Sequence, residues 1–122
     1  MNQAQVLIVD DDRNLATSLA DFVKMSGHGA SVASNGLEAA ERFRQHEYDI
    51  TFMDVDMPVM NGVEGFTEIR KLRPNARIVM MTGFWQPIVE KALASGALGL
   101  LQKPFRFSEL LTWIDGLSNQ AA

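Results

Sequence analysis

The chain has 122 residues, a length that suits one domain and buries roughly two-thirds of the unfolded surface in a single core. Apolar residues make up 47% and charged residues 21%, a balance that excludes disordered and fibrous classes. A formal net charge of −4 argues against non-specific binding to nucleic acid or anionic membranes, and the absence of Cys removes disulfides, thiolate metal sites and cysteine nucleophiles.

The first apolar run, Val6-Leu7-Ile8-Val9, is continuous rather than alternating, which predicts a strand covered on both faces. Leu15, Leu19, Phe22 and Val23 then recur at helical spacing, and Gly27 stops the helix. Ala30-Ser31-Val32-Ala33 gives a second strand, followed by a helix that Asn35 caps and that turns Leu37, Ala40 and Phe43 inward. After a third strand, Ile50-Thr51-Phe52-Met53, a helix beginning near Gly62 buries Val63, Phe66 and Ile69 before Pro74 closes it. Ile78-Val79-Met80-Met81 is the fourth strand; Pro87 suits the first turn of the helix after it, and Gly96 ends that helix. Leu98-Gly99-Leu100-Leu101 is the fifth strand, and Ser108 caps a last helix with Leu111, Ile114 and Leu117 facing the core. Strand followed by helix, five times over, predicts a single α/β domain across residues 1–122, doubly wound around a five-stranded parallel sheet, with Ser118 to Ala122 as a tail or the start of a linker. Neither a long apolar run nor a charged-then-apolar leader appears, so a cytoplasmic location is expected.

Ligands of open parallel sheets bind outside the carboxyl ends of the strands, so the strand exits carry the information. The first exit is Asp10-Asp11-Asp12, the third Asp54-Val55-Asp56, the fourth Thr82-Gly83 and the fifth, after Gln102, Lys103-Pro104; the second, Ser34-Asn35-Gly36, reads as a plain turn and cap. With the strand order 2-1-3-4-5, the first and third strands are neighbours, which sets Asp10 and Asp11 beside Asp54. Such a cluster repels itself unless a cation offsets it, and hard oxygen ligands open to water suit Mg²⁺. A divalent ion together with Lys103 would neutralise the three carboxylates and leave a pocket able to receive a phosphoryl group, with Asp54 the best-placed nucleophile.

Val9-Asp10-Asp11, Asp54 with Met57-Pro58 and Asn61-Gly62, Thr82, and Lys103-Pro104-Phe105 together resemble the receiver domain of two-component response regulators, of the CheY-like superfamily with its flavodoxin-like fold. The resemblance spans essentially the whole chain. It implies a cytoplasmic phosphoprotein of phosphorelay signal transduction, in which Asp54 takes a phosphoryl group from a phosphohistidine on a sensor histidine kinase or phosphotransfer protein. It implies Mg²⁺ as cofactor, bound directly by Asp11, largely through water by Asp10, and by Asp54 and the Asp56 backbone carbonyl. It also implies that Lys103 contacts the phosphoryl oxygens, that the Thr82 hydroxyl moves to bond one of them, and that the Lys103-Pro104 peptide is cis. The output would be a change in the face built by the fourth helix, fifth strand and fifth helix, read by an effector protein or a linked output domain, with no direct contact to nucleic acid or membrane. Such a domain catalyses only its own phosphorylation and dephosphorylation.

The sequence departs from the family pattern around the switch. Leu100 stands three residues before the lysine, where an aromatic or His is common, Gly83 replaces the more usual Ala, and Phe84 and Trp85 occupy positions that often carry smaller or polar residues. The switch region expected here is Thr82, Gly83, Phe84, Trp85 and Leu100, with the backbone after Thr82 carrying more of the change than a rotamer flip at position 100.

Plainer roles fall to other residues. Asp12 reads as a helix cap, Asp56 contributes backbone rather than side chain, and His28 and His46, lacking partners at metal or triad spacing, read as surface histidines. Phe84 and Trp85 suit either an exposed anchor or a fold back over the fourth helix. One alternative function is a Mg²⁺-dependent phosphohydrolase of haloacid-dehalogenase type, because Asp54-Val55-Asp56 mimics the D-x-D of that family. Another is an interaction module that ignores phosphorylation.

Overall fold

The computed structural model describes residues 3–120, with side chains through Leu117. Five strands alternate with five helices: β1 Gln5–Val9, α1 Arg13–Met25, β2 Gly29–Ala33, α2 Gly36–Gln45, β3 Ile50–Asp54, α3 Gly62–Leu72, β4 Ile78–Thr82, α4 Pro87–Ala94, β5 Gly99–Gln102 and α5 Ser108–Gln120. All pairings are parallel, in the order β2-β1-β3-β4-β5, as predicted. α5 takes in Ser118 to Gln120, assigned to a tail in the sequence, while the remaining tail positions, 121 and 122, lie outside the described residues. Among the described residues no helix is long and apolar enough to cross a membrane.

The continuous apolar strands are explained by two cores. Successive side chains point to opposite faces of a sheet. Val6, Ile8, Ile50, Phe52, Val79 and Met81 therefore pack on one side, under Leu19 and Val23 of α1 and Leu110, Ile114 and Leu117 of α5. Leu7, Val9, Met53, Ile78 and Met80 pack on the other, under Phe43 of α2, Phe66 and Ile69 of α3 and Val89 of α4. Three expectations need correction. Leu37 is exposed, because the inward stripe of α2 is Gly36, Ala39, Ala40 and Phe43. Leu110 is wholly buried where Leu111 is only half-buried. Ser108 is the first residue of α5 rather than a cap preceding it.

The helix starts hold the strand exits in place. Asp12 caps α1 by accepting from the Leu15 amide at 3.1 Å, and Asn35 caps α2 by accepting from the Glu38 amide at 2.8 Å. Asn61 and Glu64 form a reciprocal capping box at α3. Gly62 then lies so near β3 that a β-carbon there would fall inside van der Waals contact of the Asp54 carbonyl oxygen, and its amide donates to the Val55 carbonyl at 3.0 Å. The atoms it would meet, the Asp54 carbonyl and the Val55 Cα, are backbone, so relief requires moving α3 away from the strand that carries Asp54. Gly62→Ala is expected to cost about 2–3 kcal/mol, read as a lowered urea midpoint; a midpoint equal to that of the wild type would show that the loop adjusts freely.

Candidate functional site

Asp10 follows β1 directly and Asp54 closes β3; since the two strands are neighbours, their carboxylates meet above the sheet. With Asp11 they form a cluster in which one oxygen from each residue lies within 4.8 Å of the others. Asp10 and Asp54 are buried and Asp11 is exposed, so the cluster opens to solvent on the Asp11 side. Lys103 reaches in from the loop after β5, its ammonium 2.7 Å from Asp10 Oδ2 and 3.4 Å from Asp54 Oδ1. Its backbone is anchored by the Lys103 amide, which donates to the Thr82 carbonyl at 2.7 Å, and the Lys103-Pro104 peptide is cis. The second oxygen of Asp10 accepts from the Asp12 amide at 2.9 Å, which fixes the carboxylate toward the cluster.

Two carboxylates share one lysine, and the deficit falls on Asp54. Burial, then the negative charge of Asp10, pushes the Asp54 carboxyl up to about 6, against a weaker opposing pull from Lys103. Burial works to lower the Lys103 ammonium, but its hydrogen bond to Asp10 and the charges of Asp54 and Asp10 outweigh that and raise it, so it stays protonated. The all-oxygen donor set, short of positive charge and open to water on one side, fits a hard divalent cation such as Mg²⁺.

Thr82, at the end of β4, is buried, and its hydroxyl donates to the Phe84 carbonyl at 2.8 Å. The hydroxyl is thus engaged by its own loop. Gly83 is exposed, and a β-carbon there would meet nothing within 4 Å. Phe84 and Trp85 are 60% and 64% exposed, which selects the solvent-facing of the two arrangements open to them in the sequence. Leu100 pairs with Met80 across the sheet and is half-buried against the second core.

The predicted site residues Asp10, Asp11, Asp54 and Lys103 are brought together, while the Asp56 side chain turns away to accept from Gln86 Nε2 at 3.2 and 3.0 Å. Gln86 was missed in the sequence; between Trp85 and Pro87 it offers no pattern beyond preceding a helix-initiating proline. His46 is exposed as expected, but His28 is half-buried and its Nδ1 accepts from the Ala4 amide at 3.0 Å, so it serves the fold rather than the surface.

Comparison with known proteins agrees with this geometry. The family model described as the response regulator receiver domain matches residues 6–115. The chain is 36% identical over 116 residues to the chemotaxis protein CheY of Thermotoga maritima, covering 93% of this chain and 97% of the relative. It is 34% identical over 119 residues to the transcriptional regulatory protein ZraR of Klebsiella oxytoca, covering 96% of this chain but 27% of that protein. A CheY-like receiver domain protein of Methanospirillum hungatei superposes with a TM-score of 0.91 at 26% identity, covering 98% of this chain and 97% of the other. The response regulator TrrA of Thermotoga maritima, solved in complex with Mg²⁺-BeF, superposes with a TM-score of 0.83 at 30% identity, covering 93% of this chain and 98% of the other.

Proposed function

This chain belongs to the response regulator receiver domain family, and from that premise we propose that it is a phosphorylation-dependent signalling switch whose acceptor is Asp54. The observation that carries the reading is the Lys103 ammonium lying between Asp10 and Asp54, with Asp11 completing the acidic cluster. An Asp54 oxygen attacks the phosphorus of a phosphohistidine on a histidine kinase or phosphotransfer protein, the phosphorus–nitrogen bond breaks, and the departing imidazole takes a proton. Lys103, already 3.4 Å from Asp54, pairs with a phosphoryl oxygen, and the Thr82 hydroxyl leaves the Phe84 carbonyl to bond another. Asp11, Asp54 and the Asp56 carbonyl, with Asp10 through water, would hold Mg²⁺, which would supply positive charge to the phosphoryl oxygens. The reaction is stoichiometric and turns over no metabolite.

The phosphohydrolase alternative needs the second acid of D-x-D in the site, and Asp56 instead bonds Gln86 outside the acidic cluster. A module indifferent to phosphorylation has no use for a half-buried lysine held between two aspartates. Uptake of one phosphoryl mass from acetyl phosphate, dependent on Mg²⁺ and labile to hydroxylamine, tests the proposal; sustained hydrolysis of a generic phosphate ester would favour the alternative.

The signal is proposed to leave through the face formed by α4, β5 and α5, toward an effector protein or a linked output domain. Leu100 has no polar tip, so its movement offers no new hydrogen bond, whereas Gly83 lies directly after Thr82 with open space where a β-carbon would stand. Gly83→Pro is expected to suppress the Trp fluorescence change on adding beryllofluoride with Mg²⁺, while Leu100→Ala retains most of it. The reverse pattern would make position 100 the switch.

A further inference from the structure

Gln86 is the N-cap residue of α4, yet its side chain makes no capping hydrogen bond to that helix. Its amide nitrogen reaches across to the loop after β3 instead, 3.2 and 3.0 Å from the two Asp56 carboxylate oxygens and 3.5 Å from the Thr82 hydroxyl oxygen. One donor thus ties together the exits of β3 and β4 and the start of α4. The Thr82 hydroxyl that it touches is at the same time committed to the Phe84 carbonyl at 2.8 Å.

We propose that Gln86 is a positioning residue, a strap that holds the loop after β4 in its resting arrangement and that must release before Thr82 can turn toward a group on Asp54. This rests on the phosphorylation reading and adds to it a residue that sets how readily the switch is thrown. The geometry gives the direction. When Thr82 swings away from the Phe84 carbonyl, the 3.5 Å contact at Gln86 Nε2 is lost, while the Gln86–Asp56 bonds resist any movement of the α4 start that goes with it. A hydrogen bond to a carboxylate stabilises the state that contains it, so the strap weakens every ligand that selects the other state. Because the side chain caps nothing, its removal leaves α4 with the same terminal hydrogen bonds.

The test is a beryllofluoride titration at saturating Mg²⁺, read by Trp fluorescence as a midpoint, which does not depend on the amplitude reported by the adjacent Trp85. Gln86→Ala is expected to tighten the midpoint roughly three- to tenfold. Asp56→Asn, which keeps an acceptor for the amide, is expected to retain most of the response to Gln86→Ala. In an Asp56→Ala background Gln86→Ala is expected to have no further effect, since the strap has already lost its anchor. A midpoint unchanged or weakened by Gln86→Ala, or tightened equally in the wild type and in the Asp56→Ala background, would overturn the strap while leaving the phosphorylation reading intact. A wild type with no Mg²⁺-dependent beryllofluoride response would overturn that reading and the strap with it.

Discussion

Asp54→Asn is expected to abolish phosphoryl uptake from acetyl phosphate or from a kinase phosphohistidine, a loss on the order of a thousandfold or more, as removal of a sole nucleophile causes. The substitution is nearly isosteric, so the strands, the Lys103–Asp10 pair and the Thr82 loop stay in place, and the loss reports chemistry rather than folding. An amide oxygen lacks the charge to attack phosphorus, and no second carboxylate is equivalent: Asp10 is committed to Lys103 at 2.7 Å and to the Asp12 amide at 2.9 Å, and Asp11 is exposed. Stoichiometric labelling followed by intact-mass measurement checks it. Labelling of Asp54→Asn at the wild-type rate would remove Asp54 from its role.

The second large effect concerns the stability of the charged pocket. A buried carboxyl raised to about 6 binds its proton more tightly in the folded than in the unfolded chain. The sign follows from linkage: between about pH 4 and pH 6 the folded state holds more protons, so stability falls as pH rises through that window. Above it, ionised Asp54 costs the metal-free fold about 1–3 kcal/mol. Asp54→Asn is therefore expected to melt several degrees higher than the wild type without metal at about pH 8, and to lose the decline in stability across the window. Mg²⁺ bound at the acidic cluster would act on the same deficit; a ligand at a hundred times its dissociation constant contributes about 2.7 kcal/mol. Millimolar Mg²⁺ is expected to raise the wild-type melting temperature and to leave Asp11→Ala almost unmoved. Equal shifts in both would place the cation elsewhere, and an Asp54→Asn variant less stable than metal-free wild type would contradict the burden assigned to this carboxylate.

The site was legible because a parallel sheet delivers its functional residues at strand exits, and the acids and lysine there are close neighbours only once the strand order is fixed. Asp10, Asp54 and Thr82 each directly follow an apolar run and Lys103 follows one after Gln102, so locating the runs located the residues. The errors arose where spacing is ambiguous. Leu37 and Leu111 sit roughly 100° round the helix from the centre of the buried stripe, and a periodic count accepts either neighbour until the sheet beneath is known. The Gln86 contacts were beyond reach for a different reason: a lone polar residue before a proline gains meaning only when α4 and the loop after β3 are placed side by side. The exposure of Phe84 and Trp85 likewise depended on the course of the loop after Thr82, which local sequence does not determine.

The most direct test of the account is to locate the phosphoryl group. Wild-type protein incubated with Mg²⁺ and acetyl phosphate, then reduced with borohydride, converts any aspartyl phosphate to homoserine, which peptide mass spectrometry assigns to a residue. Homoserine at position 54 alone is the expected result; homoserine at Asp10, Asp11 or Asp56, or at none of them, would contradict it.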